Sequence, residues 1–327
     1  MATPIWKDFE VTLGTGDYAE YTIRTSTSAT DTIYTGKAWK KPGETSVKII
    51  INDICADYMR QSLPDISTTG LKACNTYNKT FFVYVGDTQK ASVLFWLDYS
   101  YDYAIAGNDY LLSDPIDGEL DYRMPIIHTM RYNTGTVDYG RASFNSDFNF
   151  DFDILPGVTI VGWGNYVHLL TSADIDRDIR IIELVGETNY HIIDSCAKFA
   201  LYYVNEYGGW DALVMKGGYK KVDKYKRYEM KRSYNNAVAS NRGRFNYANE
   251  ETFSYDLRTA LLSDSEASRM HHLLGSTMVY MYDLETGILQ PVVITDNSCE
   301  YKTYKNNGLK MSQYTIEVEI AKDQTRR

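Results

Sequence analysis

No stretch of this 327-residue sequence carries a catalytic signature. It has no G-x-S-x-G elbow, no Gly-rich phosphate loop ending in Lys-Ser or Lys-Thr, and no cysteine set in a reactive motif. Histidine is scarce. His271 and His272 are adjacent on a predicted helix, about 100° apart, so they cannot chelate one metal as an i, i+4 pair would. His128, His168 and His191 stand singly in or beside strands. Four cysteines, Cys55, Cys74, Cys196 and Cys299, show no close pair, which excludes metal-type spacing and argues against a disulfide framework; they read as reduced, buried thiols. No window approaches the roughly 18 uninterrupted apolar residues of a spanning helix, so no membrane span is expected. The start, MATPIWKDFEVTLGTG, lacks a basic region followed by an apolar core, which disfavours secretion by a signal peptide. These absences predict a non-enzymatic protein with no cofactor and no bound metal.

What the chain does have is aromatic residues in short alternating segments. Tyr occurs 29 times, Phe 11 and Trp 5, and tyrosine at this density suits half-buried strands and subunit interfaces. The length is enough for at least two cores. The expected fold is mainly β: two or three β-sandwich or barrel-like domains, two short helices and an extended basic arm. Residues 1-124 read as an N-terminal β domain, in which Val47 to Ile51 form a central strand. Asn52 would cap a short helix, the FFVYV and VLFWL segments form a hairpin around Gly86-Asp87, and 98–122 is a long loop. Residues 125-215 read as a second sandwich. Its last pair is the hairpin FALYYVNEYGGWDALVM, with Tyr202, Tyr203 and Trp210 in the core and Gly208-Gly209 supplying the turn. Residues 216-248 form a basic arm or crossover. Residues 249-327 carry a helix from about Asp264 to Leu274, with a Ser263/Glu266 capping box and Gly275 in the left-handed position after it, then strands with a turn at Asn307-Gly308. In the last strand Tyr314, Ile316, Val318 and Ile320 share the buried face.

Two acidic ladders, DFNFDFD at 147–153 and DIDRDIR at 174–180, begin like calcium loops. Both lack the Gly and the closing Glu such a loop needs, so they read as wet strand faces, with cation binding between subunits left open. The basic arm is the larger anomaly. Between Lys216 and Arg244 ten Lys and Arg face two acids, a local excess of eight, so the rest of the chain carries −17 of the net −9. Lys220, Lys221, Lys224, Lys226, Arg227, Lys231, Arg232, Arg242 and Arg244 are interleaved with Tyr225 and Tyr228. That mixture suits docking on an acidic neighbour, such as a second copy; it also suits a solvated face or single-stranded nucleic acid.

Three stretches, YTGKAWKKPGETSVKIIINDI, CAKFALYYVNEYGGWDALVMKG and LLSDSEASRMHHLLGSTMVYMYDLETGILQPVVITDNSCEYKTYKNNGLKMSQYTIEVEIA, resemble segments of structural proteins of tailed bacteriophages of gut bacteria, including crAss-like phages. The resemblance implies a virion protein made in the bacterial cytoplasm: a tail, neck or baseplate component. It would form a ring of its own copies around the DNA conduit, in passive proximity to DNA, and dock on other tail or neck proteins. The rival expectation is a carbohydrate-binding or glycan-active β-sandwich, motivated by Trp39, Trp96, Trp163 and Trp210.

Overall fold

The computed structural model describes residues 3–5, 7–59, 63–74, 78–96, 110–111, 118–132, 140–144, 148–152, 162–176, 178–183, 186–206, 208–231, 244–262, 264–295, 305–306, 309–310, 313–321 and 324–326. The chain is mainly β, with several antiparallel sheets and two α-helices among these residues.

The first strands follow the period-two pattern of half-buried β structure. They are β1 (Thr3–Pro4), β2 (Glu10–Gly14), β3 (Tyr18–Arg24), β4 (Thr32–Trp39) and β5 (Val47–Ile50), followed by helix α1 (Asn52–Met59). With β7 (Asn78–Val85) and β8 (Thr88–Trp96) they build a five-stranded sheet, order β1-β8-β7-β3-β4, and a separate β2-β5 pair. The intervening strand β6 (Gly70–Cys74) joins another sheet. Val11, Leu13, Ile23, Val47, Phe81, Val83 and Phe95 form the first core, and α1 plugs it with Cys55 and Met59. The expected hairpin is present: Val85 pairs with Thr88 across Gly86, whose φ of 58° is cheap for glycine. Val47–Ile50 is not the expected central strand. It pairs with β2 alone among the described strands, and Ile50 is exposed.

Asn52 also differs from expectation. It is the first residue of α1, and its side chain serves the N-terminal segment instead of capping the helix. Its Oδ1 accepts from Phe9 N at 2.8 Å, and its Nδ2 donates to the carbonyls of Ile5 at 2.6 Å and Lys7 at 2.8 Å. Losing a buried side chain that satisfies three backbone groups leaves them unpaired. Asn52→Leu is therefore expected to cost about 2–4 kcal/mol, read as a lowered urea midpoint at unchanged slope.

The middle of the chain adds β9 (Tyr110–Leu111), β10 (Gly118–Asp121), β11 (Ile126–Tyr132), β12 (Gly140–Phe144), β13 (Phe148–Phe152), β14 (Gly162–His168), β15 (Asp178–Glu183) and β16 (Gly186–Ile193). They form a β6-β14-β11-β9 sheet and a β10-β16-β15-β12-β13 sheet. The expected loop at 98–122 contributes β9 and β10; the rest of it lies outside the described residues. Asp121, at the end of β10, is fully buried. It is held by Arg123 Nε and Nη2, each at 2.8 Å, by Arg123 N at 2.9 Å, and by Ser195 N at 3.0 Å and Ser195 Oγ at 2.5 Å. Arg123 also donates to the carbonyls of Ser195 and Ala197, so this knot fixes how the chain enters the next strand.

The last sheet contains β17 (Phe199–Val204), β18 (Trp210–Val214), β19 (Tyr219–Lys231), β20 (Arg244–Arg258), β21 (Val279–Asp283), β22 (Leu289–Ile294), β25 (Thr315–Ile320) and β26 (Gln324–Arg326). Between these run helix α2 (Asp264–Gly275) and a small pair, β23 (Lys305–Asn306) and β24 (Leu309–Lys310), joined at Asn307-Gly308, a dipeptide outside the described residues. The strand order is β18-β17-β21-β22-β25-β20-β19, with β26 beside β20. The FALYYV hairpin thus pairs with Val279–Asp283, not only with its own neighbour as the end of a 125-215 unit. Every residue of β17 is buried. Its even residues, Ala200, Tyr202 and Val204, enter a core with Leu120, Ile126, Val167, Ile192 and Trp210. Its odd residues, Phe199, Leu201 and Tyr203, enter another with Leu257, Met270, Leu273, Ile316 and Val318. Helix α2 starts at Asp264 as expected, with Ser263 outside the described residues. Gly275 is its last residue and has no positive φ; Ser276 N instead bonds Leu273 O at 3.2 Å.

Candidate interaction surface

The basic segment is a strand, not a free arm. The turn that leads into it contains Gly217, where a Cβ would stand 2.3 Å from Thr259 O and 2.8 Å from Arg258 Cβ. Gly217 N donates to Arg258 O at 2.9 Å, and Arg258 N to Gly218 O at 3.0 Å, which sets the register of everything downstream. Gly217→Ala is expected to push this junction apart and cost about 1–3 kcal/mol, measurable as a lower melting temperature.

From Tyr219↔Leu257 the ladder runs without a break to Tyr228↔Ala248, then shifts by one at a bulge in β20 and continues to Lys231↔Arg244. The sheet supports only part of this ribbon. β25 backs residues 254–258 of β20 and β26 backs 249–251, while the end nearest the tip has no further strand beside it among the described residues. Two strands alone are marginal in water. Tyr225, Met230 and Tyr247 are more than half exposed on the ribbon, and Tyr228 lies 6.0 Å from Tyr247, ring to ring.

The charges sort by face, since strand side chains alternate. On the even face Lys220 bridges Asp256 at 3.6 Å, Lys226 bridges Glu250 at 3.5 Å, and Lys224 reaches Glu317 at 2.6 Å and Glu319 at 2.7 Å. The hydrogen bonds that Lys224 Nζ donates to Glu317 and then to Glu319 hold its ammonium well above its usual pKa. On the odd face Lys221 bridges Asp223 at 3.4 Å, and Lys216, in the turn before β19, pairs with Glu119. Of the six basic residues of this segment with described side chains, only Arg227 has no carboxylate partner among the described residues. Four of these charges, Lys216, Lys220, Lys224 and Lys226, are thus answered inside the chain by acids outside the segment. The backbones of Lys231 and Arg244 end the ladder; Arg232 and Arg242 lie outside the described residues.

Where the ribbon leaves the core, Lys198, Phe199, Tyr219, Lys221, Tyr255 and Ile288 line a shallow groove. Phe199 meets Tyr219 at 5.0 Å and Tyr255 at 5.4 Å, both edge to face, and Lys221 Nζ sits 4.7 Å from the Phe253 ring centroid.

The hairpin residues lie apart from this surface. Tyr202, Tyr203 and Trp210 are fully buried. Tyr202 donates to Pro125 O at 2.6 Å, and burial pushes its hydroxyl pKa well up. Gly208 adopts φ 85°, and Asn205 organises the loop: its Oδ1 accepts from Gly209 N at 2.9 Å and its Nδ2 donates to Asp211 at 2.9 Å. Trp39, by contrast, is 63% exposed and lies 5.3 Å from Tyr18, ring to ring, at a tilt of 46°, with Lys37 Nζ 3.8 Å from the Tyr18 centroid. The side chains of Trp96 and Trp163 are outside the description.

Among the described residues no cluster of three or more His, Cys, Asp or Glu could hold a metal ion. Of the acidic ladders, residues 148–152 form β13, Asp174 accepts from Thr171 N at 2.8 Å in a short 3-10 turn, and Asp176 has a positive φ of 61°. Cys55 is buried as expected, but Cys196 is exposed. No helix among the described residues is long and apolar enough to cross a membrane. No protein-family model matches the chain, and no curated protein matches it.

Proposed function

We propose that the chain is a non-enzymatic structural protein of a tailed-bacteriophage particle, a tail, neck or baseplate component that multimerises as a ring around the DNA conduit. The observation that carries this reading is the β19–β20 ribbon: long, aromatic, marginal alone, and with one strand edge open. Such an edge is an assembly device or a liability, and here it is long and unprotected by proline or by a covering element among the described residues. The three phage-like stretches support it. The first covers most of β4, then β5 and the start of α1 in the first core; the other two cover the β17–β18 hairpin, α2, β21, β22 and β25, whose strands belong to the sheet that carries the ribbon. The test is twofold: electron micrographs of purified protein should contain closed rings, and peptides of this chain should appear in purified virions. A strict monomer at high concentration together with absence from virions would overturn the proposal.

One observation favours a second reading. The exposed Trp39, beside Tyr18 with the rings tilted at 46°, offers an aromatic face of the sort that packs on sugar rings. On this reading a glycan array gives hits that Trp39→Ala abolishes, and silence across a broad array removes it.

A further inference from the structure

We infer that β19 pairs antiparallel with β19 of a second copy, in one register centred on Tyr225, extending the sheet across a two-fold axis. This rests on reading the ribbon as an assembly surface and names its partner and its contact.

The inference comes from the order of charges along the odd face of β19. It reads Lys221, Asp223, Tyr225, Arg227, Glu229: plus, minus, aromatic, plus, minus. Turned end for end against itself about Tyr225, this face sets Lys221 opposite Glu229 of the other copy and Asp223 opposite its Arg227, each twice by symmetry, with the two Tyr225 rings meeting in the middle. Opposite charges facing each other across an antiparallel pair are favourable and like charges unfavourable. Sliding either copy by two residues sets Lys221 against Arg227 or Asp223 against Glu229; an in-register parallel pairing sets every charge against its own kind, and one staggered by two leaves Tyr225 facing a charge on each side. Only the Tyr225-centred register satisfies all four.

The even face would ordinarily argue the other way, because lysines on an edge strand keep other strands off. In this register Lys224 faces Lys226 of the second copy. Both, however, are already matched within their own chain, Lys224 by Glu317 and Glu319 and Lys226 by Glu250. Their repulsion is muted, and their neighbours pair well: Val222 opposite Tyr228, and the stem of Lys220 opposite the exposed Met230. The bulge opposite Tyr228 and Glu229 leaves β19 itself regular, since the extra residue, Tyr247, is on β20. The open edge lies on β19, which pairs with β20 alone among the described strands. A contact of this kind is isologous, whereas a ring closes through head-to-tail contacts; it would join two rings or two protomers back to back.

The test uses the full chain and complementary charge variants. Arg227→Asp sets two Asp–Asp pairs across the axis and Asp223→Arg sets two Arg–Arg pairs, so each variant alone should self-associate about tenfold or more weakly than the native chain by sedimentation velocity. Mixed in equal amounts, the two restore both pairs, and a dimer containing one of each should return at near-native affinity. Loss of folding cannot mimic recovery on mixing. In a Cys196→Ser background, Tyr225→Cys should form a symmetric disulfide under mild oxidation, because facing Cα atoms lie about 4.5–5.5 Å apart, within bridging range. Tyr219→Cys, displaced from the axis, should not. Variants that self-associate like the native chain, a mixture that stays apart, or Tyr219→Cys linking as readily as Tyr225→Cys would each overturn the inference. Rings or virion peptides seen alongside such a result would leave the particle reading standing. Specific dimers from a protein absent from virions would do the reverse.

Discussion

Trp210→Ala should lower the stability of the chain by about 3–5 kcal/mol, with a urea midpoint shift at nearly constant slope. Trp210 opens β18 and is among the largest fully buried side chains. It packs with Tyr202, Val204 and Ile126 in one core and lies 5.9 Å from the Tyr280 ring. Its backbone N donates to Thr129 Oγ1 at 2.9 Å, so the indole is fixed against β11 by a contact that the mutation leaves in place. The void therefore cannot collapse by moving the strand, and the full cavity cost is paid. The loss should appear equally in a variant such as Arg227→Asp, since the ribbon charges are far from this core; additive effects would check that the two surfaces are independent.

Asp121→Ala should cost a similar amount, about 3–5 kcal/mol, because it removes a fully buried carboxylate that partners a guanidinium and Ser195. Arg123 would keep only its bonds to the Ser195 and Ala197 carbonyls. The same site gives a pH dependence. Burial raises the Asp121 pKa, but hydrogen bonds from Arg123 and Ser195 outweigh burial and hold it below the ordinary value of 3.8. A carboxylate with a lowered folded pKa stabilises fully above its unfolded value and loses that contribution as pH falls through the folded one. Native protein should therefore lose stability steeply below pH 3.8, and Asp121→Asn should flatten that limb while lowering the plateau at neutral pH. Equal acid limbs in the two proteins would locate the acid sensitivity elsewhere.

The elements most legible from sequence were those whose cause is local. The hairpin at Gly86-Asp87 shows its turn residues, helix α2 its apolar stripe, and β25 its alternation, with Ile316 and Val318 buried and Thr315 exposed. Asn52 illustrates the opposite case. Its position before a helical run has every local mark of a cap, yet its hydrogen bonds reach back more than 40 residues to the first strand segment. The basic segment was misread for the same reason. Read alone, 216–244 is a run of one sign that suits an extended arm; folded, its described part β19 meets Asp256, Glu250, Glu317 and Glu319 from other strands and sits in a ladder. One signal was available early: Glu317 and Glu319 occupy the wet positions of the last strand, where alternation demands a polar residue but not two acids. The exposed Trp39 could not be read from spacing, because tryptophans on alternating strands look alike whether they face the core or the water.

Strand β17 sets an order of events during synthesis. The first core draws only on residues up to Phe95 and can close while the remainder is still emerging from the ribosome. The two cores that share β17 have no such freedom: one needs Tyr282 and Leu284 to complete residues as early as Leu120, and the other needs Ile316 and Val318. Through that interval β17, apolar on both faces, must wait for strands not yet made. A chain stalled near residue 250 would present this strand to chaperones, and β17 is covered only once the stretch from α2 to the end of β25, Asp264 to Ile320, has been made.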